Sequence, residues 1–91
     1  TGYKTSIQSF GYYIRSEWMA KQFLGELIED NIYYDENYQL IQTKFDEARL
    51  YKEETHIDLI ARKANKVYRV NYYGEEPAEK IIEAAEINAG Y

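Results

Sequence analysis

The sequence predicts a small α+β domain: a helix, a three-stranded antiparallel meander and a second helix, with an N-terminal strand or arm in front. Three observations lead there. Apolar residues recur at helical spacing over 16–30 and again over 78–89. Residues 56–73, HIDLIARKANKVYRVNYY, alternate as two strands around a two-residue turn. And 91 residues with no linker, repeat or low-complexity tract make one domain, 1–91, around a modest core.

Residues 5–14 (TSIQSFGYYI) are β-branched and aromatic but contain Gly11, and read as a short strand or extended arm. Ser16 is placed to cap a helix over about 16–30, with Glu17 in the first turn where the helix dipole favours an acid. Met19, Ala20, Phe23, Leu24, Leu27 and Ile28 form its apolar stripe. Gly25 inside that helix costs roughly 1 kcal/mol relative to Ala, which suggests a backbone packed close by. Residues 31–37 (NIYYDEN) form a polar-aromatic connector and 38–45 alternate as a strand; 46–55 fit a helix through Phe45, Ala48 and Tyr51 or a strand, and the strand is favoured because it feeds into 55–61.

A turn at Ala64-Asn65 sets the hairpin register. Lys63 then faces Lys66, Leu59 faces Val70, Asp58 faces Asn71 and His56 faces Tyr73. One face carries Ile57, Leu59, Ala61, Tyr68, Val70 and Tyr72 as core. The other carries a polar cluster of His56, Asp58, Arg69, Asn71 and Tyr73. Gly74 ends the second strand. Pro77 suits the first turn of a last helix, with Glu75, Glu76 and Glu79 near its positive end. Ala78, Ile81, Ile82, Ala85 and Ala89 are its buried stripe, and Gly90 its stop.

Composition narrows the function classes. There is no Cys, so disulfides and thiolate metal sites are excluded, and a cytoplasmic location is expected. No apolar run approaches the ~18 residues of a membrane span. Net charge is −5, distributed as +2 over 1–15, −5 over 16–36, +2 over 44–69 and −4 over 70–91. Helices are thus acidic and the sheet mildly basic. Eleven residues are Tyr, more rings than a domain this size can bury, so several face outward. In the pairs Tyr12-Tyr13, Tyr33-Tyr34 and Tyr72-Tyr73, strand alternation turns one ring in and one out.

The segment Ile57-Asp58-Leu59-Ile60-Ala61-Arg62, in a helix–meander–helix order, resembles the core of the restriction-endonuclease-like PD-(D/E)XK nuclease family. The detailed likeness is to archaeal Holliday-junction resolvases and bacterial YraN-like proteins. In that family an Asp in an apolar D-[LI]-[IV]-A strand is followed, after a hairpin, by E-x-K. The resemblance implies a divalent-metal site in which Asp58, with Glu17 from the preceding helix, holds the ion that activates water. Here, however, the E-x-K positions read Asn71-Tyr72-Tyr73, with neither the second carboxylate nor the lysine. Asn71 supplies one neutral oxygen, and a tyrosine of pKa near 10 carries no positive charge at neutral pH. The resemblance therefore implies a nuclease-like fold without the family's catalysis, so no catalytic residue, metal or cofactor is expected.

His56 has no second His or Cys to share a zinc ion, and reads as a strand residue beside Tyr73 or Asp58. Lys63, Lys66, Arg62 and Arg69 cluster near the hairpin tip with Tyr68 and Tyr72 between them, a faint version of the basic-aromatic pattern of single-strand binders. Asp30, Tyr33, Tyr34, Asp35 and Glu36 make a sharper acidic-aromatic patch, suited to a basic protein groove. The expectation is a non-enzymatic interaction module whose partner is a protein. It includes the special case of an inhibitor that imitates nucleic-acid phosphates. The alternatives are a divergent nuclease or nucleic-acid-binding domain, and a self-associating structural subunit.

Overall fold

The computed structural model describes residues 6–30, apart from the side chain of Asp30, and 38–91. Elements run β1 (Ser6–Tyr13), α1 (Glu17–Asp30), β2 (Gln39–Leu40), β3 (Glu47–Lys52), β4 (His56–Lys63), β5 (Lys66–Tyr73) and α2 (Ala78–Asn88). All neighbouring strands are antiparallel, in the spatial order β1-β5-β4-β3-β2. The α+β class is as expected. The meander is β3-β4-β5, and β1 and β2 extend it to a five-stranded sheet.

The hairpin register is the expected one, with Lys63 opposite Lys66, Asp58 opposite Asn71 and His56 opposite Tyr73. A two-residue turn allows no slip, because moving one residue would exchange the sheet's faces. Ala64 takes the positive φ of 53° that a primed hairpin turn requires, although Gly is the residue that adopts it without strain.

Each face of the sheet is covered by one helix. On one side Ile57, Leu59, Ala61, Val70 and Tyr72 pack against Ala78, Ile81, Ala85 and Ala89 of α2, together with Phe45 and Ala48. On the other Ile60, Val67, Tyr38 and Tyr51 pack against Ala20 and Leu24 of α1, flanked by Phe23, Leu27, Ile28 and Tyr12. Alternation along β4 thus feeds two cores, and the strand is buried at every position except Lys63. Fully burying Leu24, Leu59, Ile60 and Val67 contributes ~1.5–3 kcal/mol each.

The helix ends follow local chemistry. The Met19 amide donates to Ser16 Oγ at 3.2 Å, so Ser16 caps α1 as expected. Gly90 has φ 91°; its amide donates to the Ile87 carbonyl at 3.0 Å and the Tyr91 amide to the Glu86 carbonyl at 3.0 Å. This pair of bonds is a Schellman termination of α2.

Three local expectations need correction. Pro77 is the N-cap of α2 rather than a first-turn residue, with ψ at 154°, and Ala78 begins the helix. The strand expected over 38–45 shrinks to Gln39–Leu40. Its missing ladder partners are replaced locally: the Phe45 amide donates to Thr43 Oγ1 at 3.0 Å and the Lys44 amide to Glu86 Oε2 at 2.7 Å. These bonds bend the chain so that Phe45 enters the α2 core. Among the described residues no backbone crowds Gly25 either, since a Cβ there would meet none of their atoms within 4 Å.

Candidate functional site

The polar sheet face is built from alternate residues of β4 and β5. His56, Asp58, Arg69, Asn71 and Tyr73 share it, as the register requires. The packing of α1 and the approach of Tyr38 turn its centre into interior, and Asp58 is only 1% exposed.

A carboxylate in that position must be paired, because an isolated buried charge costs several kcal/mol. Arg69, diagonal to Asp58 on the neighbouring strand, supplies a fork: Nη2 donates to Oδ2 at 3.0 Å and Nε to Oδ1 at 3.4 Å. The Tyr38 hydroxyl donates to the same Oδ2 at 2.5 Å, the length of a charge-assisted bond. Burial lowers the Arg69 guanidinium pKa, but its hydrogen bond to Asp58 and that carboxylate's charge more than compensate. The net result is a value above the ordinary arginine one.

Four residues further along the same face of β4, Arg62 forms a second charged knot. It is 5% exposed. Its Nη1 lies 3.1 Å from Glu17 Oε1 and 3.8 Å from Asp46 Oδ2, and Nε lies 3.4 Å from Glu47 Oε1. Nη1 also donates to the Ala64 carbonyl at 3.0 Å, while the Ala64 amide donates to Asp46 Oδ2 at 2.7 Å. One guanidinium thereby ties the start of α1 to the entry of β3 and the hairpin turn. Glu17 and Asp58, the two carboxylates of the nuclease-like reading, are thus engaged by different arginines. Among the described residues no group of three or more His, Asp or Glu is arranged to hold a metal ion.

His56 is more buried than expected, at 7% exposure. Its ring stacks on Tyr73 with centroids 4.4 Å apart and planes 8° from parallel, and meets Tyr51 edge-on at 5.9 Å. The basic cluster at the hairpin tip is also engaged within the chain. Lys63 Nζ donates to the Ala89 carbonyl at 2.8 Å and sits 4.5 Å from the Tyr91 ring centroid, and Lys66 lies 5.3 Å from that of Tyr13. With Arg62 and Arg69 committed to carboxylates, the four cations serve the fold.

The acidic-aromatic patch of Tyr33, Tyr34, Asp35 and Glu36, with the Asp30 side chain, lies outside the described residues. Two tyrosine pairs can be compared with the strand rule, and both follow it. Tyr12 is half-buried while Tyr13 is exposed, and Tyr72 is buried while Tyr73 is half-exposed. Sequence reasoning missed Tyr38, and grouped Arg62 with the basic hairpin tip rather than with the acids it meets. Arg62 carried a legible signal, since period two places it on the same face as Asp58 and a cation there needs acids. Tyr38 carried none, being 20 residues from the carboxylate it serves.

Comparison of the chain with protein-family models, with curated proteins and with solved structures finds no match. No helix among the described residues is long and apolar enough to cross a membrane.

Proposed function

We propose that this chain is a non-catalytic interaction module that binds a basic protein partner through the acidic-aromatic segment Asp30, Tyr33, Tyr34, Asp35 and Glu36. One observation carries the non-catalytic half: Asp58 is spent on structure, its two oxygens taken by Arg69 and Tyr38 in a nearly solvent-free position. A carboxylate that works on a metal or a proton needs an oxygen open to it. The binding half is supported by composition and by α1, which leaves Trp18 67% and Met19 45% exposed. Exposed large rings are the side chains that dominate binding energy. An inhibitor of a nucleic-acid-binding enzyme is the specialised form of this reading, with the acids standing in for phosphates.

A second reading, a divergent metal-dependent nuclease using Asp58 and Glu17, draws on the register that sets Asp58 opposite Asn71, where the family carries its Glu. It requires Arg69 to release Asp58 and Arg62 to release Glu17. Thermal unfolding with and without Mn²⁺ separates the two. The binding reading expects an unchanged Tm; a rise that Asp58→Ala abolishes would overturn it. In competition with duplex DNA for a basic DNA-binding enzyme, Tyr34→Ala and Asp35→Lys are expected to weaken the chain's binding.

A further inference from the structure

We infer that β1 is a self-association edge: two copies of this chain pair their β1 strands antiparallel about a two-fold axis at Phe10, joining two sheets into one. The inference goes beyond the segment 30–36, and either can fail without the other.

β1 lies at the end of the sheet, and every residue in it except Tyr12 is exposed. Its sequence, SIQSFGYY, contains no charge and no proline. Proteins block edge-to-edge pairing with lysines, prolines, bulges or very short strands, and an eight-residue uncharged strand uses none of these. Ile7, Phe10 and Tyr13 are 56%, 43% and 77% exposed, so the edge is apolar as well as unblocked.

The backbone is phased for it. The Ile14 amide donates to the Asn65 carbonyl at 2.9 Å, in step with the β1–β5 register. Antiparallel strands alternate which residues bond to a given neighbour. Even-numbered residues of β1 therefore bond to β5, and Ile7, Ser9, Gly11 and Tyr13 direct their amides and carbonyls away from the sheet. Centring a two-fold on Phe10 sets Ile7 opposite the second copy's Tyr13, and Ser9 opposite its Gly11. All four are outward-bonding positions, so about eight new ladder bonds form. Phe10 meets its own copy in the closer, non-bonded pairing, where side-chain contact is best.

The side chains select a second copy over a foreign strand. Ile7 lies on the α2 face beside a shallow cavity of about 200 Å³ between β1 and α2, lined also by Ser9, Val70, Ile81, Ala84 and Ala85. The residue brought opposite Ile7 is the second copy's Tyr13, the most exposed ring of the strand, and the symmetry repeats that contact. The strand being neutral, the pairing sets no like charges against each other even though each chain carries −5. Covering Ile7, Phe10 and Tyr13 at their observed exposures removes roughly 300 Å² per copy. Across both copies that is about 600 Å², and with the backbone edge the total stays below the ~1,200 Å² of a standard interface, so the association is weak and concentration-dependent.

Sedimentation velocity on the full chain from about 10 to 300 μM should show the mass rising from one chain to two. Phe10→Lys places two ammonium groups at the axis, and Ser9→Pro removes an outward amide without touching the β5 ladder. Each is expected to weaken association at least tenfold while leaving the far-UV circular dichroism of the monomer unchanged. Amide exchange on the unmutated protein gives a readout that needs no variant: protection of Ile7, Ser9, Gly11 and Tyr13, and not their even-numbered neighbours, should grow with concentration. A single-chain mass throughout the range overturns the proposal. So does a dimer that both folded variants leave intact, or protection that ignores the odd-even pattern.

Discussion

Removing Arg69 tests whether Asp58 belongs to the fold or to a disguised reactive centre. In Arg69→Met the aliphatic stem is retained and the fork is lost, leaving a carboxylate at 1% exposure with Tyr38 as its remaining hydrogen-bond donor among the bonds described. Breaking a buried pair from one side costs ~3–5 kcal/mol, because the surviving charge has lost both partner and water. For a chain of this length the total is on the order of 5–14 kcal/mol, so the variant is close to unfolding. Asp58→Asn should cost less, about 1–3 kcal/mol, since the amide keeps an acceptor for Tyr38 and the Arg69 side chain, 22% exposed, retains a route to water. The Asp58→Asn/Arg69→Met double variant should then lose about 2 kcal/mol less than the two single losses added, the signature of direct coupling. Urea unfolding followed by circular dichroism measures all three free energies, and thermal unfolding should show Arg69→Met lowering Tm by more than 10 °C at ~4–8 °C per kcal/mol. The reasoning is refuted if Asp58→Asn raises the stability. That result would mean the carboxylate is held at a cost to the fold, as reactive groups are, and the pairing with Arg69 would not be its purpose.

Two further predictions concern the scaffold. Gly25→Ala in α1 should stabilise the protein by ~0.5–1 kcal/mol in the same unfolding assay, since the new methyl meets none of the described residues within 4 Å and the helix penalty of glycine is removed. Arg62→Lys keeps the charge but cannot reach Glu17, Glu47 and the Ala64 carbonyl together from one planar group, so it should cost roughly 2–3 kcal/mol. Removing Glu17 alone should cost under ~1 kcal/mol, because its side chain is 59% exposed and returns to water.

Local pattern accounts for much of what the sequence alone determined. The helix over 16–30, its Ser16 cap, the Gly90 stop and the hairpin register each depend on residues within a few positions of one another. Period two also put Ile57, Leu59, Ala61, Val70 and Tyr72 on one face of the hairpin and His56, Asp58, Arg69, Asn71 and Tyr73 on the other, as the register shows. What a period cannot express is what covers a face. His56, Asp58 and Arg69 looked like a polar outer surface, yet α1 and Tyr38 cover its centre, so it became a second interior that demanded its own ion pairs. The hairpin register had already brought Arg69 beside Asp58, but two other partners come from far along the chain: the hydrogen bond from Tyr38 to Asp58 spans 20 residues and the ion pair of Glu17 with Arg62 spans 45. No local rule selects them. They are chosen by the cost of leaving a charge dry, which exists only once the layers have closed. The status of β1 followed the same logic: its composition allowed a strand or an arm, and pairing with β5 made it a strand whose other edge no described strand covers. Alternation and turn length act within a few residues, so the sequence alone determined the elements, their faces and their register. Burial acts across the whole chain, so only the tertiary structure decided that the most conspicuous carboxylate would be enclosed.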